Sequence, residues 1–67
     1  MTRIETLAAL AALMGLSPKN AAALPTVIEV SARKVGMAEA TMIAEAVRNA
    51  PLRAYLSELC AIGAAAL

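Results

Sequence analysis

"SARKVGMAEATMI", residues 31–43, decides how this chain folds. Gly36 stands between two stretches that read as helix, because glycine enters the left-handed conformation after a helix end without a steric penalty. Before it, Val27, Ile28, Val30 and Val35 supply apolar contacts; after it, Met42, Ile43, Ala46 and Val47 do the same on the next inner face. The spacing predicts a helix over 26–35, a tight corner, and a second helix over 38–49. "TVIE" at 26–29 has the form of a capping box. Glu29 precedes Arg33 by one turn, the favourable order for an ion pair.

Outward from the corner, glycine and proline divide the rest. A first helix is expected over 2–14, with Ile4, Leu7, Ala11 and Met14 as one stripe and Leu10 and Leu13 widening it. From Leu7 to Leu16 there is no polar side chain, and a helix apolar all round is normally covered on more than one side. Gly15 suits its end. Ser17 and Pro18 mark a new start, a capping hydroxyl followed by proline at the first helical position. Pro25 disfavours helical geometry at Leu24, so 18–23 is expected to form about one turn. "NAP" at 49–51 ends the third helix, and Leu52, Tyr55, Leu56, Leu59 and Ile62 give the last one, over 52–62, an apolar stripe. The tail "GAAAL" is expected to fray or to extend that helix. The fold class is therefore all-α: four short helices, or five with the one-turn segment, a corner at 26–49, and one domain over 1–67.

Composition agrees and adds a constraint. Of 67 residues 61% are apolar, but 18 of these are alanine, leaving 23 larger ones with no Phe or Trp and one Tyr. Alanine favours helix because it loses no side-chain entropy there. A single core below about 70 residues rarely supplies more than ~3–5 kcal/mol, and this one lacks large aromatic anchors. Burial against a second copy is the expected remedy, two-fold dimers being the commonest form. The lone Cys60 allows no internal disulfide, and with neither His nor Asp a protein-only metal site is not expected. Catalysis has equally little to work with: there is no His, and the five glutamates are dispersed. Cys60 reads as a small buried thiol. Tyr55 reads as core or interface anchor, and Met14, Met37 and Met42 as fillers of gaps left by alanine.

Six basic and five acidic residues give a net charge of +1, interspersed without a basic stripe. Arg3, the apolar run and Ala21–Ala23 superficially resemble a secretory leader, but Glu5 interrupts the basic region. No apolar run reaches the ~20 residues that cross a bilayer. The expected location is cytoplasmic, with no membrane partner.

Residues 31–50 resemble the helix-turn-helix unit of small repressors. Ala32 and Gly36 match the small residue of its first helix and the turn glycine, while Val35, Met37 and Met42 fall on its apolar core positions. The resemblance implies that the second helix presents Ala38, Glu39, Ala40, Ile43 and Ala44 to a major groove. Ser31 and Glu45 depart from the pattern, standing where that family buries aliphatic side chains. The presented residues also carry almost no base-reading chemistry, which rests on Arg, Lys, Asn and Gln. Arg33, Lys34 and Arg48 offer phosphate contacts, which position without specifying sequence. Together with Glu39, they are the candidate nucleic-acid contacts.

The function expected first is a small non-catalytic helical protein, an adaptor or inhibitor of a larger protein assembly. It binds through an apolar helix face as a homodimer and needs no cofactor. Its candidate interface is Leu7, Leu10, Leu13 and Met14 on the first helix with Leu52, Tyr55, Leu56 and Leu59 on the last. The alternative is a compact helix-turn-helix transcriptional regulator.

Overall fold

A computed structural model describes residues 2–63. It contains four helices: α1 (Arg3–Met14), α2 (Pro18–Val35), α3 (Glu39–Arg48) and α4 (Ala50–Ile62). Among the described residues there is no strand. Every helix touches the other three, with α2 on α4 the most extensive contact, and the molecule measures 23 × 23 × 22 Å.

Local chemistry sets the ends. Thr2 and Glu5 form a capping box: the Glu5 N–H donates to Thr2 Oγ1 at 3.2 Å, and the Thr2 N–H donates to Glu5 Oε1 at 3.1 Å. Ser17 Oγ accepts from the Asn20 N–H at 3.2 Å, with Pro18 leading α2. Gly15 and Gly36 take φ of +66° and +69°. There the next residues, Leu16 and Met37, send their N–H groups back to the Ala11 and Ala32 carbonyls at 3.1 and 2.9 Å, closing both helices in the Schellman manner. An added Cβ would meet nothing within 4 Å at either glycine, so the backbone angle rather than space requires them. Asn49 separates α3 from α4 alone, and its Oδ1 accepts from the Leu52 N–H at 3.0 Å. Arg53 completes this junction, donating from Nη1 to the Ala46 and Val47 carbonyls, both at 2.9 Å, which satisfies groups that a helix end leaves free.

The expected break at Pro25 does not occur. α2 runs unbroken for 18 residues with Pro25 inside it, so there is no separate one-turn segment. Thr26 and Glu29 form no capping box, because Thr26 is already mid-helix. Proline removes one backbone bond, the one the Ala21 carbonyl would accept, and crowds that carbonyl. Against this local cost stands complete burial of Leu24, Val27 and Ile28, each at 0% exposure. Apolar burial of about 1.5–3 kcal/mol per such side chain outweighs the proline. The corner at 26–49 is otherwise present, formed by the second half of α2, Gly36 and α3.

These three residues meet Leu7, Leu10, Ala11, Ala32, Met42, Ile43, Ala46, Leu56 and Cys60 in one core. Met14, Leu16, Met37, Leu52 and Leu59 pack against its margin. The buried stripe of α4 is therefore Leu52, Leu56, Leu59 and Cys60, rotated from the expected one so that Tyr55 and Ile62 lie outside, at 51% and 63% exposure. The chain exposes 4085 Å², about what a single folded chain of this mass presents, ~4,000 Å². Its main leucines are enclosed without a second molecule. Residues 64–67 of the tail lie outside the described residues; α4 stops at Gly63.

Two substitutions test the balance at Pro25. Leu24→Ala is expected to cost about 2–5 kcal/mol, enough to abolish cooperative thermal unfolding in so small a core. Pro25→Ala, which returns a donor to the Ala21 carbonyl, is expected to stabilise by about 2 kcal/mol after the unfolded-state entropy is offset. A fall in melting temperature on Pro25→Ala would show that the ring itself is needed.

Candidate functional site

The eight candidate interface residues divide three ways. Leu7, Leu10 and Leu56 are core residues, 5%, 1% and 0% exposed, and no partner reaches them without opening the fold. Met14, Leu52 and Leu59 are half-buried at the core's margin. Leu13 and Tyr55 are out on the surface, about half exposed.

Around those two lie exposed residues that the candidate set leaves out. On α1 the inward positions are Leu7, Leu10, Ala11 and Met14, and the outward ones are Ala8, Ala9, Ala12 and Leu13, all exposed. The second set is also without a polar side chain, although three of its four members are alanine. On α4, Pro51, Ala54, Tyr55, Glu58, Ala61 and Ile62 are all exposed, and their spacing of three and four places them on one outer stripe. Glu58 is its only charge. Contiguous apolar surface of this kind marks an interaction site more often than scattered single residues do. The remaining exposed large apolar residues, Ile4, Val35 and Val47, stand near helix ends.

The surface implied by the repressor resemblance is differently built. Ile43 is 5% exposed and belongs to the core. Glu39 Oε1 accepts from Arg3 Nε at 3.1 Å and Nη2 at 2.8 Å, tying the first turn of α3 to the first turn of α1. Arg3, Thr6, Glu39, Ala40 and Ile43 line an open groove of about 370 Å³ between these helices. Thus α1 flanks the start of the would-be recognition helix, and its freely exposed members are Ala38, Ala40 and Ala44. Arg33 pairs with Glu29 at 2.8 Å, in the order the sequence predicts, and Arg48 pairs with Glu45, also at 2.8 Å. Lys34 is exposed and makes no ion pair among the described residues. Of the two departures from the repressor pattern, Ser31 is buried regardless and Glu45 sits half-buried at the edge with Arg48.

Among the described residues no three His, Cys, Asp or Glu side chains gather as metal ligands, and no helix is long and apolar enough to cross a membrane. The Thr2 hydrogen bonds, backbone first, hold the Glu5 carboxyl below its ordinary value. Cys60 is 2% exposed beside Leu56, and burial pushes its thiol pKa up. Both displacements belong to fold chemistry: one is a cap, the other a core position.

Because the thiolate is the reacting species, Cys60 should react with a water-soluble disulfide reagent at neutral pH at least ~100-fold more slowly than in denaturant, the rate tracking opening of the fold. Equal rates with and without denaturant would place the thiol at the surface. No protein-family model, curated protein or solved structure matches this chain.

Proposed function

We propose that this protein is a small non-catalytic binding module of the cytoplasm, working as a homodimer that holds a larger protein against its outer helix faces. An adaptor or an inhibitor of a protein assembly fits this description. One observation carries the reading: two helices of a chain whose leucine core is closed still present apolar outer stripes, with Leu13 on α1 and Tyr55 and Ile62 on α4 about half exposed or more. Tyrosine suits such a place because its ring contributes contact area while its hydroxyl stays wet. The free thiol suits a reducing compartment.

DNA recognition is the weaker reading. Two of the three cations offered to phosphate, Arg33 and Arg48, are already matched with glutamates. A groove reader that must first break its own ion pairs gains less from counterion release.

The test uses the immobilised 67-residue chain in lysate of the native host. Wild type is expected to retain a defined protein. Tyr55→Ala with Ile62→Glu should lose it, while Arg33→Ala with Lys34→Ala should keep it. Retention of duplex DNA that weakens steeply with salt, and that the Arg33 and Lys34 substitutions abolish, would overturn this reading in favour of the transcriptional one.

A further inference from the structure

We propose that α2 is hinged at Pro25: the bundle opens there into a minor form in which Thr26 and Glu29 cap a shorter helix over 27–35. In that form α1 and the first turns of α2 swing away together from the rest of the chain. This conformational device does not depend on what the protein binds.

The residues at 24–29 carry the chemistry of a helix boundary that the closed fold leaves unused. Pro25 has no N–H for the Ala21 carbonyl and disfavours helical geometry at Leu24. One of the backbone hydrogen bonds that cross this point of the helix is therefore missing, leaving those from Thr26, Val27 and Ile28 to the carbonyls of Ala22, Ala23 and Leu24. Thr26 is exposed in mid-helix, where threonine is a poor helix former. At a helix start it is a good cap. Its hydroxyl then accepts from the Glu29 N–H, while the Glu29 carboxylate accepts from the Thr26 N–H. The same spacing already works once in this chain: Thr2 and Glu5, in "TRIE", make this pair of bonds at the start of α1. "TVIE" at 26–29 repeats it with one residue changed.

The packing offers a seam at the same place. Among the described residues, Arg3–Glu39 is the side-chain hydrogen-bonded pair that fastens 2–24 to 26–63, and exposed pairs of this kind hold weakly. Leu7, Leu10, Ala11 and Leu24 enter the core from the moving side, and every other member of that core lies beyond Pro25. Opening at the hinge therefore parts the core along one boundary instead of dissolving it. Hinges are a few residues that absorb the backbone change, and openings of part of a fold are populated at lower cost than global unfolding. The latent cap lowers that cost further. Leu7 and Leu10, closed to any partner in the bundle, become accessible in the open form.

Residue-resolved amide hydrogen exchange of the 67-residue chain reads the hinge directly. In the open form Val27 and Ile28 stand in the first turn of the short helix without backbone acceptors, whereas Ser31 and Ala32 keep theirs. Wild-type Val27 and Ile28 amides are expected to be at least ~10-fold less protected than those of Ser31 and Ala32, although all these side chains are buried. Thr26→Val keeps the shape and helix propensity but cannot cap. It should raise protection at Val27 and Ile28 about fivefold and leave Ser31 and Ala32 unchanged. Thr26→Ser, which can cap, should keep the wild-type pattern. Pro25→Ala should bring Val27 and Ile28 up to the protection of Ser31 and Ala32. Equal protection of these amides in the wild type overturns the proposal. So does fast exchange at Val27 and Ile28 that survives Thr26→Val or Pro25→Ala, or a Thr26→Ser variant that behaves like Thr26→Val.

Discussion

Leu24, Val27 and Ile28 hold the molecule together, because their complete burial makes α2 a continuous strut on which the other helices lean. A break at Pro25 would detach the first turns of α2 and leave Leu24 without its place in the core. Keeping the helix whole costs one backbone hydrogen bond and some crowding at Ala21. Breaking it would cost a leucine's worth of burial and the packing of α4, whose Leu56 and Cys60 belong to the same core. The tertiary term is larger, so local preference yields. With α2 fixed, Gly15 and Gly36 turn the chain at its two ends, and the short Asn49 junction brings α4 back onto α2.

Punctuation that acts within a few residues was legible beforehand. The all-α class, the two glycine closures, the Ser17–Pro18 start and the Glu29–Arg33 pair depend on neighbours at most five positions away. Helical phase was legible only in part. On α1 the expected stripe contains the inward Leu7, Leu10, Ala11 and Met14 but also takes in Ile4 and Leu13, which are exposed, because the outward set is apolar too and periodicity alone does not set the stripe's edges. On α4 the expected stripe joined Tyr55 and Ile62 to Leu56 and Leu59; the observed one is rotated to admit Cys60, a choice made by the surface of α2. Capping was misplaced for the opposite reason. "TVIE" satisfies the capping pattern but lies mid-helix, whereas Thr2 and Glu5 form the real box at the start of α1.

The corner at 26–49 shows how far a local motif constrains a surface. Gly36 and its flanking apolar residues specify two helices and a turn. They do not specify what packs against the second helix. Here the Arg3–Glu39 ion pair and buried Ile43 anchor the first half of α3 to its neighbours. The pair is exposed on both sides and worth little in energy, as surface pairs generally are. Its significance is geometric: it fastens together the N-terminal turns of α1 and α3, at the end a DNA reader would keep clear.

Alanine explains both the closed core and the unfinished surface. Ala11, Ala32 and Ala46 are buried, and their small side chains let four helices close on one another without a single aromatic ring inside. That solution has a consequence on the other side of each helix. A chain that relies on alanine for helix propensity gains nothing by placing it inward only, since the propensity acts equally on every face. Ala8, Ala9 and Ala12 therefore stabilise α1 whether or not anything covers them. A surface chosen only for exposure to water would mix them with lysine and glutamate, at little cost in helix propensity. Their run beside Leu13 is thus required neither by the helix nor by the core.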